Sequence, residues 1–415
     1  MTLEAEPIPP VGPRGHARAA LGRPGFPAYV LAAGAASAGW NIGMVLISWV
    51  ALVATGDPLA VGLVYAVRFL MLLLLGIPAG LLADRMDRRT LFAASVLGNA
   101  AVAAALAMAA AASGDSMSMA VVVAGAVLLG ALDATRIAAS HAFAFDLVGS
   151  ALATTGFAVT NLVVLGGAVV GSAASGVVLD RLGLAASFVL MAVVYLAAAL
   201  VLVGTRGRGS RAPRSAEGRG SGLRESVGLL RRDQVLRLLA AVVVVVEVFG
   251  FSCISLVPVF TRDVFGAGSD AYGLMNAIRS VGGVLALGVV IGLGPRVGTG
   301  PVLLATAVVF GAGLVAFAVS PGFVVAALPM LVVGGAAAAS DSLSQTLIQR
   351  TVTDAERGAA VGVWSFAVGF GPVGYVAAGA LAGRYGPVPV QVLFGLALMG
   401  ASVALLTRPA LRRLR

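Results

Sequence analysis

Apolar residues run in blocks of about twenty along nearly the whole chain, with polar residues gathered in short clusters between them. A helix rises about 1.5 Å per residue, so about twenty apolar residues cross a hydrocarbon layer of about 30 Å. Blocks of that length fall near residues 27–54, 59–82, 91–112, 119–143, 151–178, 186–204, 236–260, 271–293, 301–319, 323–345, 359–382 and 388–406. The pattern predicts an all-α membrane protein with twelve transmembrane helices. One polar stretch is long: residues 206–233, rich in Gly, Ser, Pro and Arg, divide the blocks six and six. The expected order is a tail (1–25), a six-helix bundle (26–205), a basic linker (206–233), a second six-helix bundle (234–407) and a short tail (408–415). Within the linker, Leu223, Val227 and Leu230 fall on one helical face, as in a helix lying on a membrane surface.

Composition agrees with the pattern. Apolar residues make up 59% of the chain and charged residues 11%, far from the balance of a soluble domain. A net charge of +10 would suggest a nucleic-acid partner in a soluble protein. Here the arginines gather on one side of the predicted spans: with both termini cytoplasmic, 23 lie inside and three outside (Arg181, Arg262, Arg384). The positive-inside rule sets that orientation. The absence of lysine and the heavy use of Ala, Gly and Arg point to a high-GC bacterium, hence to a multi-pass protein of the bacterial cytoplasmic membrane. The first 25 residues have no apolar core ahead of a cleavage site, so no signal peptide is expected. Cys253 is the sole cysteine, which rules out an internal disulfide. No nucleic-acid partner is expected, and a monomer in the lipid bilayer is.

The two halves also resemble each other. Gly62-Leu63-Val64-Tyr65-Ala66-Val67-Arg68 matches Gly273-Leu274-Met275-Asn276-Ala277-Ile278-Arg279, and Gly166, Gly171, Gly176, Arg181 and Gly183 align with Gly369, Gly374, Gly379, Arg384 and Gly386 at one offset. A parallel 6+6 duplication explains both. Some transporter folds are built this way, with halves that rock about a site at the midplane.

Residues 76–89 carry the most specific local signal. Gly76 and Gly80 share one helix face, where a second helix could approach closely, and five charges follow within six residues, Asp84, Arg85, Asp87, Arg88 and Arg89. The pattern Gly-x-x-x-Asp-Arg-x-x-Arg-Arg from Gly80 to Arg89 resembles the loop between helices 2 and 3 of the major facilitator superfamily of secondary transporters. With Asp87 in place of the usual glycine, it is similar to the branch of enterobactin-type and macrolide exporters. The resemblance implies a gate made of Gly80, Asp84, Arg85, Arg88 and Arg89. Asp84 would meet the start of helix 11 around Asp354 to Gly358, and the arginines would pair with an acid on helix 4, here Asp133. Gly166, Gly171 and Gly176, with Gly371 and Pro372, resemble the glycine motif of exporters or a ladder for helix packing. The proline expected after Gly171 is Ser172.

Ionisable groups within predicted spans are functional candidates. Glu247, near the middle of span 7, is the leading proton carrier, with Asp133 and Asp341 behind it. The alternative role for Glu247 is an ion pair with Arg68 or Arg279. Trp40, Asn41, Arg68, Phe249, Arg279, Trp364 and Phe370 are expected to line a cavity of aromatic surface and isolated charge. His16 and His141 lack partners at ligand spacing, so neither a metal nor a cofactor is expected. There is no phosphate-binding loop and no nucleophile and base constellation, which excludes an ATP-driven pump and an enzyme. The expectation is a secondary transporter that exports an amphipathic organic compound such as an antibiotic or siderophore in exchange for protons. A proton-coupled importer or a membrane sensor are the alternatives.

Overall fold

The computed structural model describes residues 13–113, 117–205, 222–293, 300–353, 356–412 and 414. All regular elements among these are helical: α1 (Pro13–Leu21), α2 (Phe26–Thr55), α3 (Pro58–Arg85), α4 (Arg88–Ser113), α5 (Met119–Gly149), α6 (Ala151–Gly204), α7 (Gly222–Arg232), α8 (Gln234–Val264), α9 (Ser269–Leu293), α10 (Gly300–Ala318), α11 (Phe323–Arg350), α12 (Arg357–Val368), α13 (Gly371–Tyr385), α14 (Pro387–Leu406) and α15 (Pro409–Arg412). Residues 13–21, expected to be tail, form α1. Residues 206–221 of the expected linker lie outside the described residues.

Local chemistry sets the boundaries. Asp57 caps α3 by accepting from the Leu59 amide at 2.8 Å, with Pro58 in the first turn, and Asp233 caps α8 through Val235 and Leu236. Gly56 ends α2 at φ 67°, a conformation that costs glycine little. Among the described residues, eleven segments are long and apolar enough to cross a membrane. One of them, α6, has 54 residues and at about 1.5 Å each is more than twice the thickness of a hydrocarbon layer. It breaks at Gly183, where φ is 80°.

Two hydrophobic cores form. One gathers α2, α4, α5 and α6; the other gathers α8 to α14 and also takes in Val45, Leu52, Val61, Tyr65 and Ala66 from the first half. Those borrowed residues mark where the halves meet. The seam pairs α6 with α9 and α3 with α13, near the ends remote from the termini. There small residues bring backbones together: a methyl at Gly176 would come within 2.7 Å of the Ser269 carbonyl, and one at Gly379 within 2.7 Å of the Pro58 carbonyl. Arg262 Nη1 donates across the seam to the Leu52 carbonyl at 2.9 Å. Along α3 toward the face that carries the termini, packing continues to Leu73 against Gly369 and then stops, for among the described residues Gly76 and Gly80 have nothing within 4 Å of an added methyl. The close helix approach expected at those two glycines is absent, because the halves part there.

Candidate functional site

α8 is not one regular helix. Val246–Gly250 is a π-turn and Phe251–Leu256 a 3₁₀ segment. Side-chain hydroxyls feed the distortion: Ser252 bonds back to the Val248 carbonyl, Ser255 to Ser252 at 2.7 Å and Thr261 to Val257 at 2.9 Å. Pro258 removes one donor from the ladder. Gly250 lets the turn lie against Phe310, whose ring is 2.7 Å from where a methyl would sit. The π-turn holds Glu247, buried and without an ion pair or hydrogen bond among the described residues. Its Oε2 lies 3.2 Å from a methyl placed on Gly371, at the point where the span Gly358–Tyr385 breaks into α12 and α13. Pro372 sits in the first turn after the break. Asp341 on α11 is close enough to interact with Glu247 electrostatically.

The ion pair with Arg68 or Arg279, the alternative role for Glu247, does not form among the described residues. Arg68 donates instead to Asp133 Oδ2 at 2.9 Å with both side chains fully buried, and Arg136 Nε donates to Asp133 Oδ1 at 2.8 Å. Asn99 Nδ2 adds a third donor at 3.3 Å. Arg68 also lies over the Trp40 ring at 4.0 Å, with Arg136 at 5.8 Å. Both carboxylate oxygens of Asp133 are therefore bonded by guanidinium groups. Arg279 forms no ion pair among the described residues, and its Nε is buried without a partner, as is Trp364 Nε1.

Aromatic rings bridge the two clusters. Trp40 meets Phe69 edge-on at 6.1 Å, Phe69 meets Tyr375 at 5.3 Å, and Tyr375 meets Tyr65 at 5.3 Å. Tyr272 and Ser48 share a hydrogen bond of 2.7 Å across the seam, beneath the Trp49 ring. Of the expected cavity residues, Trp40 and Arg68 come together. Asn41 turns back to the Ser37 carbonyl at 2.9 Å, Phe249 packs on Phe394 at 5.4 Å, and Phe370 sits at the break against Phe366. Phe69, Asn99, Arg136 and Tyr375 were not among the expected site residues. Asn99, the sole amide of the apolar block 91–112, and Tyr65 and Phe69, one turn apart, were the available signals.

The gate loop also differs from expectation. Arg88 Nη1 pairs with Asp146, not Asp133, at 2.6 Å. Arg89 bonds to the Leu202 and Val203 carbonyls, which end α6, as a cation at a helix C-terminus does. Asp87 caps α4 through Thr90 at 2.7 Å. Asp84 is 65% exposed and 3.7 Å from Arg88, and Arg85 is exposed. Asp354 and Ala355, at the expected partner site of Asp84, lie outside the described residues. Of the glycines, Gly171 packs on Ala38 and Gly176 on Gly273, but none of the described residues approaches Gly166; Gly167 instead packs on Gly34.

Residues 29–372 match the family model of the Major Facilitator Superfamily. The chain belongs to that family. It is thus a secondary transporter of small molecules embedded in a membrane, and not an enzyme. It is 22% identical over 355 residues to the staphyloferrin A transporter of Staphylococcus aureus (strain NCTC 8325 / PS 47), covering 86% of this chain and 89% of that protein. Among solved structures it is similar to the nucleoside transporter NupG, with a TM-score of 0.73, 14% identity and 92% and 99% of the two chains covered. A D-xylose-proton symporter gives a TM-score of 0.70 at 14% identity, with 92% and 97% covered. At such identities these structures speak for the fold alone.

Proposed function

We propose that this transporter exports an amphipathic organic compound, an antibiotic, siderophore or other secondary metabolite, across a bacterial cytoplasmic membrane by proton antiport with alternating access. Glu247 carries the proposal: a buried carboxyl near Asp341, free of cations, in a π-turn against the break in a neighbouring span. π-turns of this kind recur at functional sites, and a carboxyl that no cation holds can exchange its proton when the cavity opens to water. Splitting α6 at Gly183 gives twelve crossings with both termini on one face. The arginine clusters make that face cytoplasmic, so the described state, sealed at the far ends, faces inward. The likeness of the gate loop to exporters, and a relative that transports staphyloferrin A, support the direction and the substrate class.

The test uses everted vesicles with an acidified interior and a pH-sensitive dye. An exported compound added outside should release protons and restore fluorescence with wild-type protein, and should not with Glu247→Gln. Fluorescence recovery of equal size in the variant removes Glu247 from the proton path. Accumulation of the compound by right-side-out vesicles together with protons would make the protein an importer.

A further inference from the structure

The corner formed by Arg68, Asp133 and Arg136 holds two guanidinium groups and one carboxylate, an excess of one positive charge inside a bundle. Buried cations are ordinarily paired, because an uncompensated charge away from water is costly. Asn99 is neutral and donates to the same carboxylate, so it does not supply the missing charge. The Arg68 side chain is wholly buried, with Nε and Nη1 unbonded. Arg136 is the accessible member, its side chain 12% exposed. Its Nε is committed to Asp133, and neither terminal nitrogen makes a hydrogen bond or ion pair among the described residues. Two parallel N–H groups are therefore free on a guanidinium held in place by its third nitrogen. That geometry matches the two oxygens of a carboxylate. Beside it lies Trp40, edge-on to Phe69, an apolar surface for the body of a flat solute.

We infer that this corner is a binding site for a negatively charged group, a carboxylate, carried by the transported solute. The inference rests on the transport reading above but not on its direction or on proton antiport. The solute's charge would complete the neutralisation that Asp133 leaves half done, while its apolar part lies along Trp40 and Phe69.

Binding to the purified full-length protein, without any gradient, separates this from the antiport reading. Trp49→Phe and Trp364→Phe leave Trp40 as the sole tryptophan reporter. The probes are 4-phenylbutyrate and its neutral amide, which have the same apolar body. The acid should change Trp40 fluorescence at concentrations at least about tenfold lower than the amide, the usual weight of a charge-assisted contact. Arg136→Gln should bring the acid to the level of the amide. Should that variant fail to fold, Arg136→Lys, which keeps the charge and loses the fork, should reduce the preference severalfold. Equal binding of acid and amide, an unchanged preference in the variant, or no response to either probe would overturn the inference. A preserved acid preference alongside failed proton release in vesicles would leave the anion site standing and remove the antiport.

Discussion

The two halves place the same charged residue types on corresponding helices and neutralise them differently. Each puts an arginine on its second spanning helix, Arg68 on α3 and Arg279 on α9, and an aspartate on its fourth, Asp133 on α5 and Asp341 on α11. Each also packs a glycine of the fourth helix against the backbone of that arginine. A methyl on Gly130 would lie 3.2 Å from Arg68 Cα, and one on Gly334 2.9 Å from Arg279 Cα. Counting from those glycines, Asp133 is three residues on, and the matching residue in the second half is the buried Ala337. Asp341 is four residues further, about 6 Å along the helix. One turn of displacement thus separates a saturated ion pair from an arginine and an acid that stand apart. The first half is built to hold a fixed charge. The second, which adds Glu247, leaves that acid and Asp341 without a cation partner among the described residues.

The largest expected effect comes from breaking the pair that exists. Asp133→Asn takes from Arg68 and Arg136 the one carboxylate they share in a buried site, and removing one partner of a buried pair costs about 3–5 kcal/mol. Arg279→Gln breaks no ion pair and should stay within about 1 kcal/mol. Melting temperatures in detergent should fall sharply for the first and little for the second. Equal losses would mean that Arg279 has a partner of similar weight. The double change Glu247→Gln with Arg279→Gln sharpens this, for a pair hidden in another state would show as non-additive stability.

Transplanting the pair is the next test. Ala337→Asp places a carboxyl in the second half where Asp133 stands in the first, within reach of Arg279. Transport should fall at least about tenfold while the protein still folds, because a new cation-bound acid fixes charge in the half that carries the proposed proton carrier. Undiminished substrate-driven proton release would break the proposed division of labour between the halves.

Much of this was legible along the chain. Spans, their order, the repeat and the intramembrane charges follow from apolar run length and the cost of burying charge. Which charges meet did not follow. Asp133, Asp146 and Asp341 all lie on fourth helices of a half, and whether an acid meets an arginine depends on helix rotation and on a single turn of axial position. The π-turn at Glu247 was hidden for another reason: its causes are back-bonding hydroxyls and Gly250 against Phe310, a contact across about sixty residues of sequence. Likewise Gly166 and Gly167 differ by one position, yet only the second points at Gly34.

The gate separates the two ends of the seam. At the far ends the halves touch through backbone, whereas Asp84 on the opposite face is mostly exposed. Asp84→Asn should therefore leave melting of this state unchanged to within about 0.5 kcal/mol. Transport should still fall by roughly tenfold, because the charge-assisted contact expected when the halves close on that side is worth about 1.5–3 kcal/mol. Wild-type transport with normal expression would remove the gating role.

The smallest effect concerns the short helices that precede each half, α1 and α7. α7 is tied to the second half: Ser226 donates to the Ala359 carbonyl at 2.9 Å, and Arg232 pairs with Glu356. The Thr353 hydroxyl, 3.0 Å away, and the Thr353 amide hold the Glu356 carboxyl below its ordinary value of 4.5, with Arg232 adding to this. A depressed carboxylate stabilises above its unfolded value, and that contribution is lost as pH falls below 4.5 and through the folded value. Hydrogen exchange of the α7 amides, corrected for intrinsic rates, should accordingly rise between pH 6 and about pH 3.5 in the wild type. In Glu356→Gln the excess exchange should already be present at pH 6 and should change little with acid. A pH-dependent rise that survives Glu356→Gln would assign the tether to Ser226 and apolar packing instead of the ion pair.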